Sequence, residues 1–401
     1  MVGKPFNQAA PIIHTFNNNG YECFFVGGSV RDYQLKRPIG DIDLATNADP
    51  YTVQRLFDRT VPVGIDHGTI LVLLGDESYE VTTYRTEGEY KDHRHPEQVF
   101  FVENIEEDLS RRDFTINAMA MGLDGKIIDP FNGLQDLKLK RIQTVRYAQD
   151  RFSEDALRML RAIRFSSQLN FSIDDEVITA IKENRTLLEA ISVERITVEL
   201  TKMFGGMGVG KALDYLNETS LYQQLPIFGM NENVFSLVHE QLSEPIADAT
   251  VLVAYFHYMD PSISISTWVK AYKLSNAVKR KATIIYEAFD KHQEQGLTKG
   301  LLYQLTYEHI QPWNDFVRFV AGKSYVLEEL YSMYDQLPIQ QKSDLAINGT
   351  DLIRLFPERK QGKWISDYLR ELEHLVLCGE LQNQKDTLEG QVKAWNQTGQ
   401  N

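Results

Sequence analysis

The sequence predicts an α+β protein, with a head of mixed strands and helices over residues 1–148 and an all-helical remainder. Three observations predict it. Runs of aromatic and β-branched residues recur early, at 21–26, 68–74 and 78–85. From about residue 152 onward such runs nearly vanish, and long amphipathic patterns take over. The first run ends in Gly27-Gly28, the punctuation of a strand that turns tightly.

Residues 21–26 read as a buried strand. The glycine pair after it lets backbone approach a ligand, with free N–H groups that can face phosphate. Asp41-Ile42-Asp43-Leu44 follows, and on a strand a spacing of two points both carboxylates to one face. Two hard oxygen ligands side by side suit Mg²⁺, which takes one or two carboxylates plus substrate phosphates. Each feature alone has an ordinary reading, as a turn or a solvated strand end. Together they describe nucleotidyl transfer from a metal-bound nucleoside triphosphate. Glu80, in the alternating run 78–85, is the candidate third carboxylate; its plainer reading is a solvated strand residue. Farther on, Arg111 and Arg112 are candidates for meeting a triphosphate, and Asp113 and Asn117 for holding ribose hydroxyls, against the reading of a charged helix start.

The first helix after the head is expected to start at Ser153 as N-cap, with Glu154 and Asp155 in its first turn and Leu157, Leu160 and Ile163 on its apolar face. Asp155, Arg158, Arg161 and Arg164 recur every three residues on it. The plain reading is a solvated stripe of ion pairs. Chemistry offers another: Asp accepts from an exocyclic amino group, while Arg donates to a ring nitrogen or carbonyl. Cytosine and adenine both present an amino group beside an acceptor nitrogen, whereas guanine and uracil present a carbonyl beside N–H. One Asp–Arg pair would then accept C and A and reject G and U. Residues 204–212 nearly spell a phosphate-binding P-loop, but Ala212 stands where the magnesium-binding Ser or Thr belongs, and the segment before it reads as a helix. That stretch is read as a hinge between helical parts.

At 401 residues, 43% hydrophobic and 24% charged, the chain has the composition of a soluble globular protein able to bury substantial cores. No apolar run approaches a membrane span, and the first residues lack a signal pattern, so a cytoplasmic address with no membrane partner is expected. Cys23 and Cys378 lie far apart and read as reduced, buried thiols. A net charge of −14 argues against a generally sticky nucleic-acid binder. RNA binding would rely on local basic patches such as Arg354, Arg359, Lys360 and Lys363.

Five blocks in order resemble the bacterial class II tRNA nucleotidyltransferases, the CCA-adding family within the DNA polymerase β-type nucleotidyltransferase superfamily. They are the Gly-Gly turn with Asp41 and Asp43; residues 111–118; Asp129-Pro130-Phe131-Asn132-Gly133; Glu154-Asp155 with Arg158; and residues 192–196 with Glu199. The resemblance implies a nucleotidyltransferase head (1–148), a neck that recognises the nucleotide base (149–205), a helical body (206–325) and a helical tail that binds tRNA (326–401). It implies one site that adds C, C and A to the tRNA 3′ end from CTP and ATP, by Mg²⁺-dependent in-line attack of the 3′-hydroxyl on the α-phosphate. Carried over by residue, Asp41 and Asp43 hold the metal with Glu80 as third carboxylate. Gly28, Ser29, Arg31 and Arg112 bind the triphosphate, with Asp113 and Asn117 beside them. Asp155 and Arg158 read the base, with Arg161 and Arg164 nearby. The fifth block braces the neck. Ser29 departs mildly from the Ala of many members.

Residues 85–96, with His93 and His95, resemble the flexible loop of full CCA-adding enzymes. A CC-adding or A-adding specialist, a poly(A) polymerase, a catalytically silent RNA-binding protein and a small-molecule nucleotidyltransferase are the competing readings. The sequence leaves open whether the chain is a monomer or a homodimer.

Overall fold

The aromatic and β-branched runs of the head become the core strands of one sheet. The computed structural model describes Gly3, residues 5–88 and residues 98–398. Its strands are β1 (Cys23–Val26), β2 (Asp43–Thr46), β3 (Thr60–Gly64), β4 (Thr69–Leu74), β5 (Glu77–Thr83), β6 (Arg85–Glu87), β7 (Val99–Phe101), β8 (Ala120–Met121) and β9 (Ile127–Ile128). Seven of them form a mixed sheet in the order β3-β4-β5-β2-β1-β8-β9, while β6 and β7 pair separately. Within it β2 runs antiparallel to β1 and parallel to β5. Val26, Ala45, Tyr84, Leu109, Ala118 and Val145 are buried together as a cluster under this region. Strand alternation is legible in β5, where Tyr79, Val81 and Thr83 point inward and Glu80 outward.

β2 begins at Asp43, so Asp41 lies in the segment before the strand and not on it as expected. The reason is the ladder itself: β1 ends at Val26, opposite Asp43, and turns away through Gly27. The helix Gly28–Gln34 starts directly from that turn.

Beyond the head the elements are helical apart from Ser172–Ile173, a short strand paired with Arg141–Ile142. Ser153 is not a helix cap. It lies inside the helix Ala148–Glu154, its hydroxyl donating to the Asp150 carbonyl at 2.8 Å. The chain breaks at Asp155, which is extended (φ −134°, ψ 104°), and a new helix runs Leu157–Leu169. Ala156 is the N-cap of that helix, and just before it one Asp155 carboxylate oxygen accepts the Leu157 N–H at 3.1 Å.

The glycine-rich stretch joins the helices Val193–Phe204 and Val209–Glu218. It is a packed corner. A Cβ on Gly206 would stand 2.3 Å from Ser167 Oγ, and the Gly208 N–H donates to the Ser167 carbonyl at 2.8 Å. The chain divides into two compact units, residues 1–247 and 248–401. The second is entirely helical. Its buried aromatics include Trp268, Trp313 and Tyr255. Of the two thiols, Cys23 is buried as expected, but Cys378 is exposed on the helix Lys363–Cys378. Among the described residues no helix is long and apolar enough to cross a membrane.

Candidate active site

The site is built on the end of β1. Gly27 has φ 71° and ψ −137°, in the region glycine adopts without strain. A Cβ there would stand 3.1 Å from Arg112 Nη1 and 3.6 Å from Asp43 Oδ2, so the bare backbone leaves room for both groups. The buried Ser29 hydroxyl donates to the Val26 carbonyl at 3.0 Å and ties the turn to its strand.

Asp43 stands beside Glu80 in the parallel ladder of β2 and β5. Burial, then Glu80, raises the Asp43 carboxyl to about 6, with Arg112 pulling it down and Asp41 pushing it up further. A carboxylate destabilised by burial and by two carboxylate neighbours is a place where a cation fits. Asp41, exposed before the strand, and half-buried Asp43 supply hard oxygen donors suited to Mg²⁺. Among the described residues no group of three His, Cys, Asp or Glu is gathered closely enough to hold a metal. The donor set present is thus the pair that Mg²⁺ commonly takes, with phosphate oxygens completing it.

A chain of hydrogen bonds and ion pairs connects the head to the helices behind it. Arg31 donates twice to Asp32, at 3.1 and 2.9 Å, and once to Asn117 Oδ1 at 2.7 Å. Asn117 donates to Asp113 at 3.1 Å, and Asp113 accepts from Arg161 Nε at 2.8 Å. Glu199, buried on the helix Val193–Phe204, faces Arg161 at 3.7 Å and Arg164 at 2.5 Å. Burial opposes the Asp113 charge, but Arg161, the Asn117 hydrogen bond and Arg158 hold its carboxyl well below the usual range. Burial, partly offset by Glu199, pushes the Arg164 guanidinium down to about 10. Phe165 lies among three cations, with Arg164, Arg31 and Arg161 at 3.9, 5.1 and 5.5 Å from its ring centre.

Arg158 donates to Glu154 at 2.5 Å and to the Arg151 and Arg111 carbonyls at 3.3 and 3.2 Å. Asp155 accepts from Arg195 at 2.8 Å. The three-residue spacing is therefore no solvated stripe. Arg158 and Arg164 are buried, and Asp155, Arg161 and Arg164 each have an ion-pair partner on another element.

One cavity of about 790 Å³ gathers these groups. Gly28, Ser29, Arg31, Asp41, Asp43, Arg112, Asp113, Asn117, Asp155, Arg158, Arg161 and Arg164 all line it. Glu80 does not; it stands beside Asp43 in the ladder and is exposed. Nine lining residues are Arg or Lys against five Asp, so the cavity is basic in a chain of net charge −14. Arg195, from the fifth block, also lines it, as do His67, Arg85, Phe165 and Lys202, which were not singled out as site residues from sequence. Residues 89–97, which include His93, His95 and most of the expected loop, lie outside the described residues.

The chain resembles known proteins over nearly its whole length. Residues 23–143 match the family described as Poly A polymerase head domain, residues 170–229 the probable RNA and SrmB-binding site of polymerase A, and residues 247–392 the putative tRNA nucleotidyltransferase domain 2. The chain is 45% identical to the CCA-adding enzyme of Oceanobacillus iheyensis, over 98% of each, and 41% identical to that of Bacillus licheniformis, over 96% and 97%. The crystal structure of the Bacillus stearothermophilus CCA-adding enzyme in complex with CTP superposes with a TM-score of 0.89 at 36% identity, covering 100% of this chain and 99% of that one. A basic cavity built on a glycine turn and a carboxylate pair, in a chain matching these relatives end to end, belongs to the CCA-adding enzyme family.

Proposed function

We propose that this protein adds C, C and A in turn to the 3′ end of tRNA, from CTP and ATP, without a nucleic-acid template. The observation that carries the reading is the single cavity in which Asp41, Asp43, the Gly28 turn, the arginines and the Asp155–Arg158 pair lie together. The tRNA 3′-hydroxyl attacks the α-phosphate in line; a new phosphodiester bond forms and pyrophosphate leaves. Asp41 and Asp43 hold Mg²⁺, and Glu80 adds its charge beside Asp43. When bound, the metal polarises the phosphate and offsets the charge on the leaving group.

The chain's own residues do the positioning on which such transfer depends. Gly28, Arg31 and Arg112 bind the triphosphate, with Ser29 bracing the turn. Asn117 and Asp113 face the ribose while fixing Arg31 and Arg161. Asp155 accepts from the amino group of C or A, Arg158 donates to the neighbouring ring nitrogen, and Arg161 and Arg164 flank them. The residues of the fifth block, Arg195 and Glu199, hold these side chains from behind. In this reading residues 1–148, 149–205, 206–325 and 326–401 serve as head, neck, body and tail, with the tail on the tRNA elbow, and the work is done in the cytoplasm.

The test is transfer to a tRNA that ends at its discriminator base, with Mg²⁺ and CTP, ATP or both, followed by sequencing of the 3′ ends. The expected product with both nucleotides ends in CCA. Stopping at CC, a requirement for a CC-ended acceptor or a growing A tail would replace this reading with a specialist or a poly(A) polymerase.

A further inference from the structure

Asp108 lies behind the cavity wall and not on it. Its side chain is 1% exposed, on the helix Ile105–Ser110. It accepts from Arg111 Nε and Nη2 at 3.0 and 2.9 Å, from Arg112 Nη2 at 3.2 Å and from the Arg85 backbone N–H at 3.3 Å. A carboxylate taken out of water is tolerated when paired and hydrogen-bonded, and here both paired cations are cavity-lining residues. A guanidinium is planar, so fixing one nitrogen sets the direction of the others. With Nη2 of Arg112 held by Asp108, Nη1 comes to lie over the Gly27 turn, 3.1 Å from where a Cβ would be.

We propose that Asp108 is a positioning residue for the nucleotide triphosphate, acting through Arg111 and Arg112, whose side chains it fixes before any nucleotide enters. The inference rests on the assignment of Arg112 to the triphosphate made above. Long arginine side chains lose rotamer freedom when they grip a ligand, and here that freedom is already lost in the folded protein. Asp108 touches neither base nor reacting atoms. Its effect therefore falls on nucleotide affinity, equally for CTP and ATP, and leaves base choice alone. A purely structural carboxylate would alter stability without touching affinity.

The experiment is Asp108→Asn in the full-length protein, which keeps the side chain's shape and removes its charge. KM for both CTP and ATP is expected to rise about tenfold, the worth of a charge-assisted hydrogen bond. Turnover at saturating nucleotide and the preference for CTP over UTP are expected to stay near the parent's. In an Arg112→Ala background the same change should add little, since a residue acting through another loses its effect when that partner is gone. A parent-like KM in Asp108→Asn, with KM raised in Arg112→Ala, overturns the inference alone. A parent-like KM in Arg112→Ala overturns the triphosphate assignment and the inference with it. Thermal melts accompany each variant. If Asp108→Asn does not fold, Asp108→Glu keeps the charge one methylene away: raised KM with intact turnover supports the role, and parent-like KM overturns it.

Discussion

Asp113 and Asp108 orient arginines, and the same contacts make the protein sensitive to acid. Burial disfavours both charges, but for Asp108 the neighbouring Arg111 and Arg112, and for Asp113 chiefly Arg161, prevail and hold each carboxyl below its ordinary value. A carboxyl whose folded pKa lies below its unfolded value of about 3.9 stabilises the fold above that value and loses the contribution as pH falls toward the folded pKa. Thermal stability is expected to drop between about pH 5 and pH 3. Asp113→Asn, less stable at neutral pH, should lose less across that interval in parallel melts. At the carboxylate pair, Asp41→Ala or Asp43→Ala is expected to reduce transfer to background with the melting temperature preserved; normal turnover in either would end the metal assignment. Asp155→Ala should instead admit UTP and GTP, and a variant that rejects them as well as the parent would sink the base-reading role. The sequence made Asp41, Asp43, Gly28 and Arg112 legible because their chemistry sits in short contiguous patterns. Asp108 and Phe165 stayed silent: their importance comes from partners that only the fold brings near, as Phe165 meets Arg31 from another helix.

Among the elements, strand and helix types were mostly legible, and the misreadings have physical causes. Ser153 satisfies an N-cap pattern, but Asp155 two residues on is extended and breaks the helix, which restarts at Leu157. The glycine run 205–208 reads as flexible from composition; Gly206 and Gly208 instead pack closely against Ser167. A Gly206 Cβ would lie 2.3 Å from Ser167 Oγ and 2.6 Å from its carbonyl carbon, and the backbone cannot yield as a side-chain tip can. Gly206→Ala is therefore expected to cost roughly 1–3 kcal/mol, the range for overpacking a close-fitted contact. Denaturant unfolding would measure it. An unchanged midpoint would restore the hinge reading.

For the molecule as a whole, charge is the informative quantity. A chain of net charge −14 that handles RNA must concentrate its cations, and the cavity with its nine Arg and Lys lining residues is one such concentration. Tail cations are also present, though Arg359 already stacks against Trp364 and Tyr368, 4.6 and 5.4 Å from their ring centres. Affinity for tRNA is expected to fall by about tenfold or more between roughly 50 and 200 mM salt, as phosphate contacts release counterions. Flat affinity across that range would argue that shape alone holds the RNA. The contacts divide the chain at 247/248, inside the expected body.

The parallel pairing of β2 with β5 also bears on where the charge environment of Asp43 arises. β5 meets β4 through a short hairpin, a local contact that forms early, but Glu80 reaches Asp43 only when a distant stretch of chain closes beside β2. Asp43 sits at that non-local seam, so its carboxylate neighbourhood exists only once β5 has closed beside β2: the charge environment of Asp43 is a property of the assembled sheet and of no single segment.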